Sequence, residues 1–151
     1  MKVNHILLTT DLSPESLHPC EPVGEFARAV GARVTLLHIV EELRISPHGA
    51  PLAPPIKPVD TEERTAHALE ALEEQRAALG DGVEVGLEVV SAEKIAPAVE
   101  IYAKANDVDL ICLSTHGRTG FRHLVLGSVA EAIIRHSTIP VLTFPQLPNQ
   151  V

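Results

Sequence analysis

A chain of 151 residues, 45% apolar and 21% charged, has the material for an ordinary globular core and needs no covalent staple to hold it. Its formal net charge of −8, from 12 cations against 20 anions, opposes sequence-independent binding of nucleic acid or anionic membrane. Three Phe, one Tyr and no Trp leave no aromatic platform for stacking bases, and no apolar run approaches the roughly 20 residues of a membrane-spanning helix.

The amino terminus, MKVNHILLTTD, has one Lys and a short apolar run that ends at Asp11, without a small-residue cleavage site. It reads as a first strand over 3–9 rather than a signal peptide. The turn Thr9-Thr10-Asp11-Leu12-Ser13-Pro14 then enters a helix, with Ser13 at the N-cap and Pro14 in the first position. Leu17, Val23, Phe26, Ala27 and Val30 form its apolar pattern, and Gly31 follows as a C-terminal glycine. Pro19 and Pro22 fall inside that pattern. An interior proline costs about 3 kcal/mol, so the helix is expected to start late or with distorted first turns.

A second strand spans 32–40, ARVTLLHIV. The excursion 41–59, EELRISPHGAPLAPPIKPV, holds Pro47, Pro51, Pro54, Pro55 and Pro58, which exclude regular helix and central strand. A second helix opens with Asp60 and Glu63 in capping-box spacing, carries Leu69, Leu72 and Leu79, and stops at Gly80. The third strand, VEVGLEVV over 83–90, alternates apolar and polar residues, as a strand wet on one side does at a sheet edge. A third helix runs from about Ala92 to Ala105, with Ile95, Val99 and Tyr102 on one face. The fourth strand, VDLICLS over 108–114, is almost continuously apolar, like 3–9 and 32–40, as strands covered on both faces are. A fourth helix begins at Ser128, with Glu131 completing an S-x-x-E box, and Pro140 precludes its continuation into the final strand, 140–144.

This βα alternation predicts an α/β fold over 1–151: a single three-layer, doubly wound domain with a five-stranded, mostly parallel sheet and helices on both faces. With 83–90 at an edge the strand order is 3-2-1-4-5. The winding then reverses between strands 1 and 4, where such sheets bind ligands beyond their carboxyl ends. Two unusual turns are expected to meet there. One bears Thr10 and Asp11; the other runs from Leu113 and Ser114 through Thr115, His116, Gly117 and Arg118 to Gly127, Ser128 and Val129. Two readings stand for the second turn. The glycines and hydroxyls merely turn the chain and cap a helix, or they leave backbone N–H groups directed at an anion, which needs no surplus of basic side chains. A carboxylate at Asp11 is suited to accept hydrogen bonds from ribose hydroxyls.

Other chemistry is not visible. The eight histidines have no metal-ligand spacing, and Cys20 and Cys112 have no partner at such spacing, so a reduced, cytoplasmic setting is the default. His38 reads as a hydrogen-bonded core residue and Cys112 as packing. Neither a G-x-S-x-G elbow nor a Walker A loop occurs, and no catalytic or metal assembly stands out.

The stretch STHGRTGFRHLVLGSVAEAIIRHSTIPVLTF resembles the carboxyl-terminal signature of the universal stress protein family. Nucleotide-binding members carry G-x-x-G, nine residues, then G-[ST]. Gly117, Gly127 and Ser128 match the last three elements, while the first glycine falls on Ser114. ILLTTDLSPES, VTLLHIV and DVDLICLSTHG extend the resemblance over essentially the whole chain. The resemblance implies ATP as ligand, with or without Mg²⁺. Thr10 and Asp11 would flank the ribose and adenine side, Ile39 would offer its backbone to the adenine edge, and Gly117, Gly127, Ser128 and Val129 would hold the phosphates. Leu113, Ser114 and His116 belong to the same candidate site. Arg118 and Arg122 are either phosphate contacts or surface cations. The implied function is adenine-nucleotide binding in a stress response, by a regulatory module rather than a fast enzyme. The alternatives are a nucleotide-free dimeric interaction module of the same fold and a slow ATPase. The uncharged edge strand Pro140–Phe144 invites homodimerisation, which the resemblance implies as well.

Overall fold

In the computed structural model, which describes residues 2–42, 61–115 and 126–145, the apolar runs pair into one five-stranded sheet. Its strands are β1 (His5–Thr10), β2 (Arg33–Glu41), β3 (Val85–Ala92), β4 (Leu110–Ser114) and β5 (Val141–Phe144). Their order is β3-β2-β1-β4-β5 and every pairing is parallel, as expected from the sequence. Helices α1 (Cys20–Val30) and α2 (Thr61–Ala78) cover one face, where Val23, Ala27, Leu72 and Leu79 meet Ile6, Leu8, Leu36 and Cys112. Helices α3 (Ile95–Ala105) and α4 (Ser128–His136) cover the other, where Val99, Ala103 and Ile133 pack on Leu7, Leu37, Ile39 and Leu113. Alternate residues of β1, β2 and β4 thus feed opposite cores, which is why their sequences carry no polar face.

Several boundaries and faces differ from the sequence reading. β3 lies two residues later than the alternating run, because Val34 to Glu41 of β2 pair with Val85 to Ala92. Ala92 therefore ends a strand, and α3 starts only at Ile95. The proline-rich first helix splits: a 3-10 turn, Pro14–Leu17, precedes α1, and Pro19 stands at the α1 N-cap. The buried stripe of α1 is Cys20, Val23, Gly24 and Ala27, while Leu17, Phe26 and Val30 stay exposed. Gly24 selects that stripe: a Cβ built on it would lie 1.9 Å from the Leu79 carbonyl oxygen, so only a glycine lets α1 approach the end of α2. On α2 the core positions belong to Ala68, Leu72, Gln75 and Leu79, and Leu69 is exposed. Asp60, and with it the expected capping box, lies outside the described residues, as does the excursion from residue 43 onward. Gly31 and Gly80 end α1 and α2 in the left-handed conformation, with φ of 72° and 78°.

The amino ends of the strands are locked by a buried histidine. His5 is 3% exposed, and its Nδ1 lies 2.9 Å from the Asn106 carbonyl oxygen, which can only accept. With its proton on Nδ1 the ring donates to that carbonyl and Nε2 accepts from the Thr35 hydroxyl at 2.8 Å, while Arg33 Nη2 stands 3.1 Å from Nδ1. Burial is the main influence on the ring and lowers its pKa. The Arg33 guanidinium adds to that, while the Asn106 carbonyl, Asp109 and Asp107 pull the other way. Beside it, Asp109 Oδ2 accepts the backbone N–H groups of Asn4 and His5 at 2.7 and 3.0 Å. These bonds hold the Asp109 carboxyl below its ordinary value.

Candidate functional site

The opposite rim of the sheet parts between β1 and β4. Pairing of β1 with β2 continues to Thr10 and His38, and pairing of β4 with β5 continues to Ser114 and Phe144. Pairing of β1 with β4 stops at Leu8 and Cys112. Two further residues on each strand therefore diverge, and a crevice opens where the winding reverses.

One wall is the turn after β1, which is held by side chains. The buried Thr10 hydroxyl accepts the Leu12 N–H at 3.0 Å and donates to Ser16 Oγ at 2.8 Å. Asp11 Oδ1 accepts the Ser13 N–H at 3.0 Å and the Ser13 hydroxyl at 2.6 Å. Ser13 and Pro14 stand at the expected cap and first positions, but the Ser13 hydroxyl serves Asp11 instead of capping. His38, half-buried on β2, donates from Nδ1 to the Thr10 carbonyl at 2.9 Å. Leu12 has a φ of 64°, a left-handed conformation uncommon for a branched side chain, so the turn depends on these bonds.

The other wall is the end of β4 together with the start of α4. Thr115 donates its N–H to the Phe144 carbonyl at 3.2 Å, and its own carbonyl accepts the Gly127 N–H at 3.0 Å. That bond pins the entrance of α4 against the end of β4. Gly127 is the N-cap, and Ser128 is the first helical residue rather than the cap expected from S-x-x-E. Glu131 accordingly pairs with Arg135 at 2.6 Å instead of closing a box. Among the described residues no side chain caps α4, and its first-turn N–H groups, those of Ser128, Val129 and Ala130, lie at the positive end of the helix dipole.

The structure thus brings Thr10, Asp11, Ser114, Gly127, Ser128 and Val129 to one rim. Ile39 and Leu113 sit there too, but their side chains are buried in the α3/α4 core, which leaves main chain as their only offering. His116, Gly117, Arg118 and Arg122 lie outside the described residues. Cys112 is buried packing, its thiol pushed up to about 12 by desolvation. Sequence reasoning missed Ser16 and Gln75. The available signal was Gln75 itself, a polar residue in the apolar stripe Ala68, Leu72, Leu79. Elsewhere, an open groove of about 560 Å³ between α1 and the end of α2 is lined by Arg28 and by Glu21 and Glu25, carboxylates that oppose an anion.

The model of the universal stress protein family matches residues 2–145. Universal stress protein MJ0531 of Methanocaldococcus jannaschii is 30% identical over 140 residues, spanning 91% of this chain and 79% of that protein. A universal stress protein of Synechocystis is 42% identical over 65 residues; the match spans 43% of this chain but only 22% of that longer protein. Among solved structures, that of MJ0577 of Methanocaldococcus jannaschii superposes with a TM-score of 0.80 at 26% identity, over 99% of this chain and all of the other. An Archaeoglobus fulgidus universal stress protein in complex with dAMP gives a TM-score of 0.66 at 20% identity, over 95% of this chain and 98% of the other. A universal stress protein in complex with cAMP gives 0.64 at 20% identity, over 95% and 97%.

Proposed function

The chain belongs to the universal stress protein family, and on that premise we propose that it binds an adenine nucleotide, ATP foremost, in the crevice between β1 and β4. The observation that carries this reading is the early end of the β1–β4 pairing, opposite the N-terminus of α4, which no side chain caps among the described residues. Phosphate oxygens accept from the amides of Ser128 and Val129, Gly127 lets them approach the helix end, and Gly117 completes the cradle. Asp11 accepts from the ribose, and the main chain at Ile39 reads the adenine edge. The dAMP and cAMP complexes of proteins with this fold support a nucleotide as occupant. The donors are amides, so a chain of net charge −8 still attracts the anion locally.

Among the described residues a metal ion fits only as cargo. Asp11 Oδ1 is engaged by Ser13, and among the described residues no three His, Cys, Asp or Glu side chains cluster as a metal cage. Any Mg²⁺ therefore arrives on the phosphates. The protein serves as a binding module whose nucleotide state regulates a partner or its own assembly in a stress response.

Calorimetric titration is expected to show ATP bound with micromolar affinity, about −8 kcal/mol, and GTP bound more weakly. Equal or absent binding of both would reject the reading. Incubation with Mg²⁺ and ATP for hours is expected to release no product above background; steady turnover would make the protein a slow ATPase instead.

A second reading, a dimeric interaction module without nucleotide, is favoured by β5. Among the described residues this strand pairs on one side only, and its Leu142 is 40% exposed. A second copy is the proposed partner, edge to edge through Pro140–Phe144. Leu142→Lys is expected to convert a dimer to a monomer in sedimentation at micromolar concentration. A monomeric unsubstituted protein would end that proposal.

A further inference from the structure

We propose that Gln75, carried on α2, is a positioning residue for the nucleotide crevice: through Ser16 it holds the β1 turn in the shape that presents Asp11. The inference rests on the nucleotide reading above and extends it to a side chain on another element.

Counting protons fixes the arrangement. Ser16 Oγ has one proton and two lone pairs. Its proton goes to the Ser13 carbonyl at 2.6 Å, which can only accept. Its lone pairs receive the Thr10 hydroxyl at 2.8 Å and Gln75 Nε2 at 2.9 Å. Ser16 is then saturated, and Gln75 has to present its amide nitrogen. Its Oε1 is left as the one buried side-chain polar atom without a partner among the described residues, on a residue only 4% exposed.

A buried amide with an orphaned oxygen is a poor way to fill an apolar stripe, since a leucine fills similar volume with nothing left unpaired. What the amide adds is a donor that locks Ser16. Ser16 in turn holds the carbonyl of Ser13 and the hydroxyl of Thr10, which bracket Asp11 and the left-handed Leu12. Ser13 grips Asp11 Oδ1 twice. The chain Gln75, Ser16, Ser13, Asp11 thus runs from the second helix to the rim of the crevice.

The test compares Gln75→Leu, Asp11→Asn and the double variant with the unsubstituted protein, using ATP and 2′,3′-dideoxy-ATP. Gln75→Leu is expected to bind ATP roughly fivefold more weakly, the worth of one hydrogen bond, and to lose the preference for the ribose hydroxyls. The double variant is expected to bind within about twofold of Asp11→Asn alone, since coupled residues do not add. Without nucleotide, the amides of Leu12 and Ser13 are expected to exchange about tenfold faster in Gln75→Leu. Val99→Ala, on the opposite face, is expected to keep the ribose preference. Retained preference in Gln75→Leu, unchanged exchange at Leu12 and Ser13, or equal loss of preference in Val99→Ala each overturns the proposal. If Gln75→Leu does not fold, Gln75→Met carries the same comparison. If the unsubstituted protein binds no adenine nucleotide, the functional reading fails separately, and the exchange rates still decide whether Gln75 holds the turn.

Discussion

Gly127→Ala separates the two reasons a chain has for a glycine. Gly127 has φ −58° and ψ 144°, open to any residue, and a Cβ built there meets only the Thr115 carbonyl oxygen, at 3.4 Å. The alanine removes unfolded-state freedom worth about 0.4–1 kcal/mol. It also forfeits the N-cap preference for glycine over alanine, worth about 1 kcal/mol. The two nearly cancel, so stability is expected to change by less than about 1 kcal/mol, or at most about 4 °C in Tm for a chain of this length. The phosphates fare differently, because a methyl group at the cap holds them off the first-turn amides. Hydrogen bonds to charged groups contribute about 1.5–3 kcal/mol each, so the loss of one weakens ATP binding by about tenfold or more. Calorimetry and thermal melting on the same preparation measure both effects. A fall of about 10 °C or more would make the glycine architectural. Unchanged affinity would place the phosphates elsewhere and refute the amide seat.

Gly24→Ala is expected to be severe, since its Cβ would meet the Leu79 carbonyl oxygen at 1.9 Å and force α1 from α2; urea denaturation is expected to show a loss of about 3 kcal/mol or more. Glu100 is partly desolvated, which alone would raise its carboxyl, but hydrogen bonds from the Thr138 backbone, Lys104 and the hydroxyls of Thr138 and Ser137 bring it down to about 2. A lowered carboxylate stabilises above its unfolded value and loses that contribution as pH falls towards 2. Glu100→Gln is thus expected to cost about 1–2 kcal/mol at pH 7, with the two proteins converging in acid. His5 has the opposite charge logic. Its lowered value means that the unfolded chain binds the proton more readily, so stability is complete above about 6.5 and declines as pH falls below it. His5→Gln is expected to flatten Tm between pH 7.5 and 5.5; an unaltered slope would assign the decline to another group.

Strand order was legible because burial on two faces leaves a composition that one-face burial does not. The alternation of 83–90 marked an edge, and the unbroken apolar runs marked the middle. Register was less legible, since a slip of two residues in β3 preserves the alternation and only pairing with β2 decides it. Helix faces were misjudged where a backbone approach ruled. Phe26 and Val30 satisfy the spacing of an apolar stripe, but Gly24 against Leu79 turns α1 so that they stay exposed. At the rim, Asp11 and Gly127 were legible from their place after strands 1 and 4. Ser128 was misassigned as a cap because the box spacing is indifferent to a shift of one residue. Ser16 and Gln75 were missed because a tertiary hydrogen bond across 59 positions leaves no periodic trace.

The histidine circuit under the sheet has a consequence for the far rim. His5, Thr35, Asn106 and Asp109 rivet the starting ends of the first two strands to the carboxyl end of the third helix and the approach to β4. The ends that face the crevice are thereby relieved of holding the layers together. A substitution in the crevice turns is therefore expected to alter what the rim holds before it loosens the sheet beneath.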